Sequence, residues 1–218
     1  MSTTARPWAW AAVALGVLGG LAVGVASVRN GLAGSGNGSG GSGLGGYVSE
    51  AGVPGRPFAG LYRAGILGLA GAAAALAVAY RSVLVVAVPL ALATPAMLVS
   101  GTVTCTPGCP LPPYETTTTG DLVHAVGSIA GVGLCALAMG ALAWTGTGPA
   151  RRASWVAVAV GWPLLVGTAV AIAAVGRSSL TGWLERLGLL ACVAWLIAAA
   201  LGRAIPAQDR VHRHSPLA

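Results

Sequence analysis

Charge is what this chain has least of. Only 8% of its 218 residues are charged, against about a quarter in a soluble domain, so it cannot dress a water-facing surface. Lysine is absent, and all twelve basic residues are arginine. Five carboxylates and three histidines complete the titratable set apart from cysteine and tyrosine, and His212 and His214 sit at the extreme C-terminus. That leaves one histidine, too few for a bis-histidine haem or a three-histidine zinc site. There is also no Walker loop, no G-x-S-x-G elbow and no H-E-x-x-H, so these signatures of phosphate-loop, serine-hydrolase and zinc-protease chemistry are missing. The net charge of +7 does not point to nucleic acid, because the arginines are scattered and no basic run is interleaved with aromatics.

What the chain has in abundance is apolar surface: 56% hydrophobic residues and a mean hydropathy of +0.80. About 20 apolar residues span a bilayer as a helix. Six such runs are legible, at roughly Trp8–Val28, Leu61–Tyr80, Ser82–Val103, Asp121–Trp144, Ala153–Val175 and Trp183–Leu201. They are continuous, without the period-two alternation of a barrel strand. The expected fold is therefore all-α: a polytopic transmembrane bundle of six spanning helices, with residues 1–202 as one domain and 203–218 as a cytoplasmic tail. With the N-terminus inside, Arg6, Arg81, Arg151, Arg152, Arg203, Arg210 and Arg213 face the cytoplasm, and Arg29, Arg56, Arg63, Arg177 and Arg186 face out. Positive loops stay inside, which places both termini in the cytoplasm. The Cys105–Asp121 connection agrees, since it holds Glu115 and Asp121 and no arginine. The first run is longer than a typical signal-peptide core and is expected to remain as a helix.

Between the first two runs, residues 31–46 are mostly Gly and Ser, a flexible linker composition. Gly16, Gly20 and Gly24, and again Ala64, Gly68 and Ala72, form stripes at spacing four suited to close helix packing. Pro89, Pro95 and Pro163 lie inside runs and permit bends. Trp8, Trp10, Trp144, Trp155 and Trp183 fall near helix ends, as interfacial anchors do. Arg210, His212, Arg213 and His214 form a basic cluster in the tail, read as a solvated end with possible headgroup contact.

Chemistry is confined to a few positions. Cys105 and Cys109 enclose Thr-Pro-Gly, a turn that can bring the thiols together. On the outer side they are expected to form a structural disulfide. Cys135 and Cys192 are read as small apolar fillers. Thr118 and Asp121 have capping-box spacing, and His124 and Ser128 follow on the same helical face. Asp121 could orient the His124 ring, which makes His124, Asp121 and Glu50 the candidate acid–base residues. Ser49, Glu50, Arg63, Asp121, His124 and Ser128 are the candidate ligand-binding set. Arg63 is expected to pair with Glu50, and Arg186 with Asp121 or Glu185. A mixed metal site of Glu50, Asp121, His124 and Glu185 is chemically conceivable, but neither metal nor cofactor is expected.

The segments Tyr47-Val48-Ser49-Glu50-Ala51-Gly52, Cys105-Thr106-Pro107-Gly108-Cys109-Pro110 and Asp121-Leu122-Val123-His124 resemble the bacterial membrane family catalogued as domain of unknown function 998. The resemblance runs from the first helix to the sixth. It implies a six-helix bundle with polar motifs on one face and carries over no catalytic residue. The reading is then a non-enzymatic multi-pass protein of the bacterial plasma membrane and cell envelope. Its partners are the lipid bilayer, a lipid or small-molecule ligand in an extracytoplasmic polar pocket, or another membrane protein. The alternatives are a membrane-embedded enzyme using His124 and Asp121 on a lipid or envelope substrate and, ranked last, a transporter.

Overall fold

The computed structural model describes residues 5–36 and 45–205. The basic cluster of the tail lies outside them. Six helices account for most of the described chain: α1 Ala5–Gly36, α2 Ala59–Ala79, α3 Leu84–Thr102, α4 Thr119–Thr145, α5 Gly148–Val175 and α6 Ser179–Ala204, with a short 3-10 turn at Val48–Gly52. All six are long and apolar enough to cross a membrane, and no strand occurs among the described residues.

Each helix starts or ends within a few residues of its apolar run, with one exception. α1 continues to Gly36, so the first part of the Gly/Ser stretch expected as linker is helical. At about 1.5 Å per residue α1 is far longer than a bilayer core requires. Its overhang has a function in the fold: buried Asn30 donates to Ala51 O at 3.0 Å and accepts from Phe58 N at 3.3 Å. That clamps the 3-10 turn and the entry to α2 against α1. Arg203, expected to open the tail, sits in the last turn of α6.

The helices pack as a ring in chain order. Each contacts the next, α6 closes on α1, and α6 also reaches α2 and α4. In the middle, Leu76, Leu90, Met139 and Trp195 are fully buried. Cys135 and Cys192 are buried there as free thiols. Trp195 finds a partner for its indole N–H in Ser154 Oγ at 2.9 Å. α1 and α2 approach backbone to backbone. A Cβ on Gly19 would stand 2.8 Å from Gly65 O, and one on Gly65 would stand 2.9 Å from Gly19 O. The Gly16/Gly20/Gly24 stripe is a different surface: Gly16 and Gly20 meet Leu196, Ile197 and Val193 of α6, while Gly24 has open space. The glycine that matters most for α1–α2 packing is one the stripe omitted.

This up-and-down order gives the bundle two unlike ends. The loop end carries residues 45–58, 103–118 and 176–178. The arginine end carries the start of α1, the 80–83 and 146–147 turns and the end of α6. Trp8, Trp10, Trp144 and Trp155 are exposed at the arginine end and Trp183 at the loop end. Trp144 and Trp155 meet at a tilt of 54° with ring centroids 4.6 Å apart.

Candidate functional site

The polar residues singled out in the sequence all lie at the loop end, where the start of α4 is the most heavily bonded element. Thr118 is its N-cap and accepts from Asp121 N at 3.2 Å; Asp121 Oδ2 returns the contact to Thr118 N at 2.8 Å. This is the expected capping box. Asp121 also reaches across the loop, its Oδ1 accepting from Thr106 N at 2.6 Å and Thr106 Oγ1 at 3.0 Å. It is 1% exposed. A buried carboxylate is tolerable only when its oxygens are this fully engaged.

Thr106 is held in place by the turn around it. Cys105 and Cys109 are disulfide-bonded with Cα atoms 5.0 Å apart. Cys109 N donates to Thr106 O at 2.9 Å, and Gly108 takes the left-handed φ of +91° that position demands. The disulfide loop is thus tethered to α4 through Thr106 and Asp121.

His124 lies one turn deeper and is 5% exposed. Its Nδ1 stands 2.8 Å from the Val103 carbonyl. A carbonyl only accepts, so Nδ1 carries the proton and Nε2 is left as the acceptor. Nε2 has Ser128 Oγ at 3.5 Å, but that hydroxyl donates to His124 O at 2.9 Å. Ser128 Oγ in turn pairs with Ser100 Oγ at 2.7 Å. The expected Asp121–His124 pair does not form. Spacing of three places both on one face, but Asp121 is turned outward by four donors at the cap, and the Val103 carbonyl orients the ring instead.

The ion pairs also differ from expectation. Glu50 faces Arg177 at 3.6 Å, not Arg63, and Arg177 reaches Glu115 at 3.6 Å as well. Arg63 Nε donates to Gly101 O at 3.3 Å. Arg186 forms no salt bridge with Asp121 or Glu185, although its charge and that of Glu185 act on each other; its Nη1 donates to Gly46 O at 2.6 Å and Gly182 O at 2.9 Å. Glu185 Oε2 accepts from Val48 N at 2.9 Å, and Glu50 Oε1 from Tyr47 N at 3.1 Å. Glu185 thereby holds the backbone of the 45–50 segment on α6, and Glu50 closes the turn within that segment. Tyr47 is buried among them with no partner for its hydroxyl among the described residues. Burial first, then the negative charges of Glu185 and Glu115, push its pKa up to about 12.

Of the candidate ligand set, Ser49, Arg63 and His124 line a common crevice with Tyr62, Ser100 and Thr104. Glu50, Asp121 and Ser128 do not line it. The crevice is closed to a water-sized body. No group of three or more His, Cys, Asp or Glu among the described residues could hold a metal, so the mixed set of Glu50, Asp121, His124 and Glu185 is not assembled. Sequence reasoning passed over Thr106, Ser100 and the clamping roles of Asn30 and Arg177. Asn30 ends an apolar run and Arg177 sits in a three-residue connection, which are the only signals either offered.

The model of a family described as "Protein of unknown function (DUF998)" matches residues 38–202. The match covers the loop-end segments and α2 to α6 and leaves α1 outside. No curated protein and no solved structure matches the chain.

Proposed function

Because the chain belongs to the DUF998 family and is built of six membrane-length helices, we propose that it is a non-enzymatic multi-pass protein of the bacterial plasma membrane. Its loop end faces outward and receives a small molecule or a lipid headgroup in the crevice between α2, α3 and α4. The orientation draws support from two facts. The Cys105–Cys109 disulfide is at the loop end, and such bonds persist outside the cytoplasm. In the sequence Arg210 and Arg213 follow Arg203, and counting them with the side on which α6 finishes gives that side the larger arginine total.

The ligand reading is carried by polar capacity that the protein does not use. Arg63 spends only Nε, on Gly101 O, and its two terminal nitrogens have no protein partner among the described residues. His124 keeps Nε2 as an unspent acceptor. The half-buried Arg63 guanidinium is not stranded in the core, so its terminal nitrogens are open to a group from outside the protein. The crevice has no room for a water-sized body as it stands, so binding requires the 3-10 turn carrying Ser49 and the segment carrying Thr104 to move apart.

The test is native mass spectrometry of the full chain purified in mild detergent, with Arg63→Gln and His124→Gln alongside. A retained lipid or metabolite that either substitution removes supports the reading. A protein that emerges empty, or retains the same adducts in all three forms, contradicts it.

A further inference from the structure

We propose that the group bound in this crevice is a phosphate, carried by a phospholipid headgroup or by a free phosphate compound. Arg63 is its principal contact, and the hydroxyls of Ser49 and Thr104 flank it. The proposal rests on the reading above that the crevice binds a ligand, and it names the chemistry of that ligand.

The first argument is the sorting of charge. Four carboxylates lie at the loop end, yet none lines the crevice. Glu50 and Glu115 are occupied by Arg177, Asp121 by Thr106 and Thr118, and Glu185 by Val48 N. Arg63 is therefore the one full charge among the crevice residues, without a carboxylate partner among the described residues. A cation set down there selects for an anion.

The second argument is position. Arg63 is in the second turn of α2, which begins at Ala59. The start of a helix is its positive end, where a cation is disfavoured. The same place suits a bound anion, because dipole and arginine then act together. At about 1.5 Å per residue the side chain originates roughly 6 Å inside the end of the helix, the depth at which a long arginine reaches headgroup level.

The third argument is the donor set. A guanidinium presents its terminal nitrogens as a fork matched to two phosphate oxygens. Ser49 and Thr104 line the same crevice, and neither hydroxyl makes a protein hydrogen bond among the described residues, so both can donate to further oxygens. Ser100 is not counted, because Ser128 donates to His124 O and so Ser100 must donate to Ser128. Nε2 of His124 completes the set as an acceptor for a phosphate O–H.

The experiment uses the full chain in a neutral detergent. Adducts are measured by native mass spectrometry with dioleoyl phosphatidylglycerol, with dioleoylglycerol, and with inorganic phosphate alone. The variants are Arg63→Gln, Arg63→Lys, Ser49→Ala and Arg56→Gln, the last removing an arginine from the same end but outside the crevice. A common melting temperature establishes folding, and Ser49→Ala keeps the test open should Arg63→Gln fail to fold. Phosphatidylglycerol should bind more tightly than dioleoylglycerol, by about tenfold or more, the factor expected for a charge-assisted contact. Arg63→Gln should abolish that preference, Arg63→Lys and Ser49→Ala should reduce it several-fold, and Arg56→Gln should leave it unchanged. Arg63-dependent binding of inorganic phosphate would support the phosphate assignment and identify a free compound as a source; binding of the lipid alone would support it and identify the headgroup. If both lipids bind equally and both are lost in Arg63→Gln, the ligand site stands and the phosphate assignment falls. If neither lipid responds to Arg63→Gln or Ser49→Ala, both fall.

Discussion

The two ends of the bundle hold the same number of arginines among the described residues, yet they are built on opposite principles. At the arginine end, Arg6, Arg151, Arg152 and Arg203 make no salt bridge with a described carboxylate. Two of them finish helices: Arg203 Nε donates to Ala79 O at 3.1 Å at the close of α2, and Arg151 Nε to Ala143 O at 3.1 Å at the close of α4. At the loop end the helices that finish on arginine begin on acceptors. Asp121 and Thr118 cap α4, Ser178 caps α6, and Asn30 accepts from the residue before α2. Cations at helix C-termini and anions at N-termini both follow the macrodipole. Several of the charges here are thus consumed in ending helices. Arg63 follows the same rule at the loop end, its Nε donating to Gly101 O at the close of α3, and only its terminal nitrogens are left over.

The comparison can be broken most sharply at Asp121. Asp121→Ala removes the α4 cap and the tether to the disulfide loop together, and should cost about 3 kcal/mol. Asp121→Asn, which keeps acceptor capacity, should cost about half as much. Loss of helicity against the mole fraction of dodecyl sulfate in mixed micelles would measure both. Equal, small losses would show that the loop end does not depend on its carboxylate cap. The arginine-end counterpart is milder. Arg203→Ala gives up one backbone cap and a guanidinium 5.0 Å from the Tyr80 ring centroid, worth about 1–2 kcal/mol in the same assay.

Two tyrosines sharpen the contrast. Tyr80, at the arginine end, donates to Ala199 O at 3.2 Å, whereas Tyr47, at the loop end, has an unpartnered hydroxyl. Tyr80→Phe should destabilise by about 1 kcal/mol, and Tyr47→Phe should be neutral or stabilise by up to about that much. Burial pushes both above the ordinary 10.0, to about 12, with Arg203 partly opposing the rise at Tyr80. The folded protein then holds protons that the unfolded chain releases. Stability from these groups is complete below pH 10.0 and is lost as pH climbs toward about 12. An alkaline melting series should show that decline, and the double Phe variant should flatten it. The smallest effect belongs to Arg177→Gln: with its side chain 30% exposed and both ion pairs at 3.6 Å, the loss should be about 0.5 kcal/mol or less.

Local spacing made the spans, the capping box and the disulfide loop legible in the sequence. Apolar length marks a helix in lipid, Thr-x-x-Asp marks a helix start, and Pro-Gly between cysteines marks a turn. Everything needing helix order was hidden. Arg177 meets Glu50 only because the α5–α6 connection folds over the 3-10 turn, and Arg63 meets Gly101 only because α3 lies beside α2. Spacing also misled at His124, because sharing a face with Asp121 does not decide which donor Asp121 satisfies. The overhang of α1 was hidden by composition, since residues 31–36 read as linker yet continue a helix anchored at Asn30.

The central claim is that the loop end faces outward and the arginine end faces the cytoplasm. Single cysteines placed at exposed Thr116 and Thr147, challenged in intact cells with a membrane-impermeant maleimide, test it directly. The native thiols Cys135 and Cys192 are buried and Cys105 is bonded to Cys109, so the background should be low. Thr116→Cys should label at once and Thr147→Cys only after the cells are permeabilised; the reverse order would invert the bundle and contradict the account.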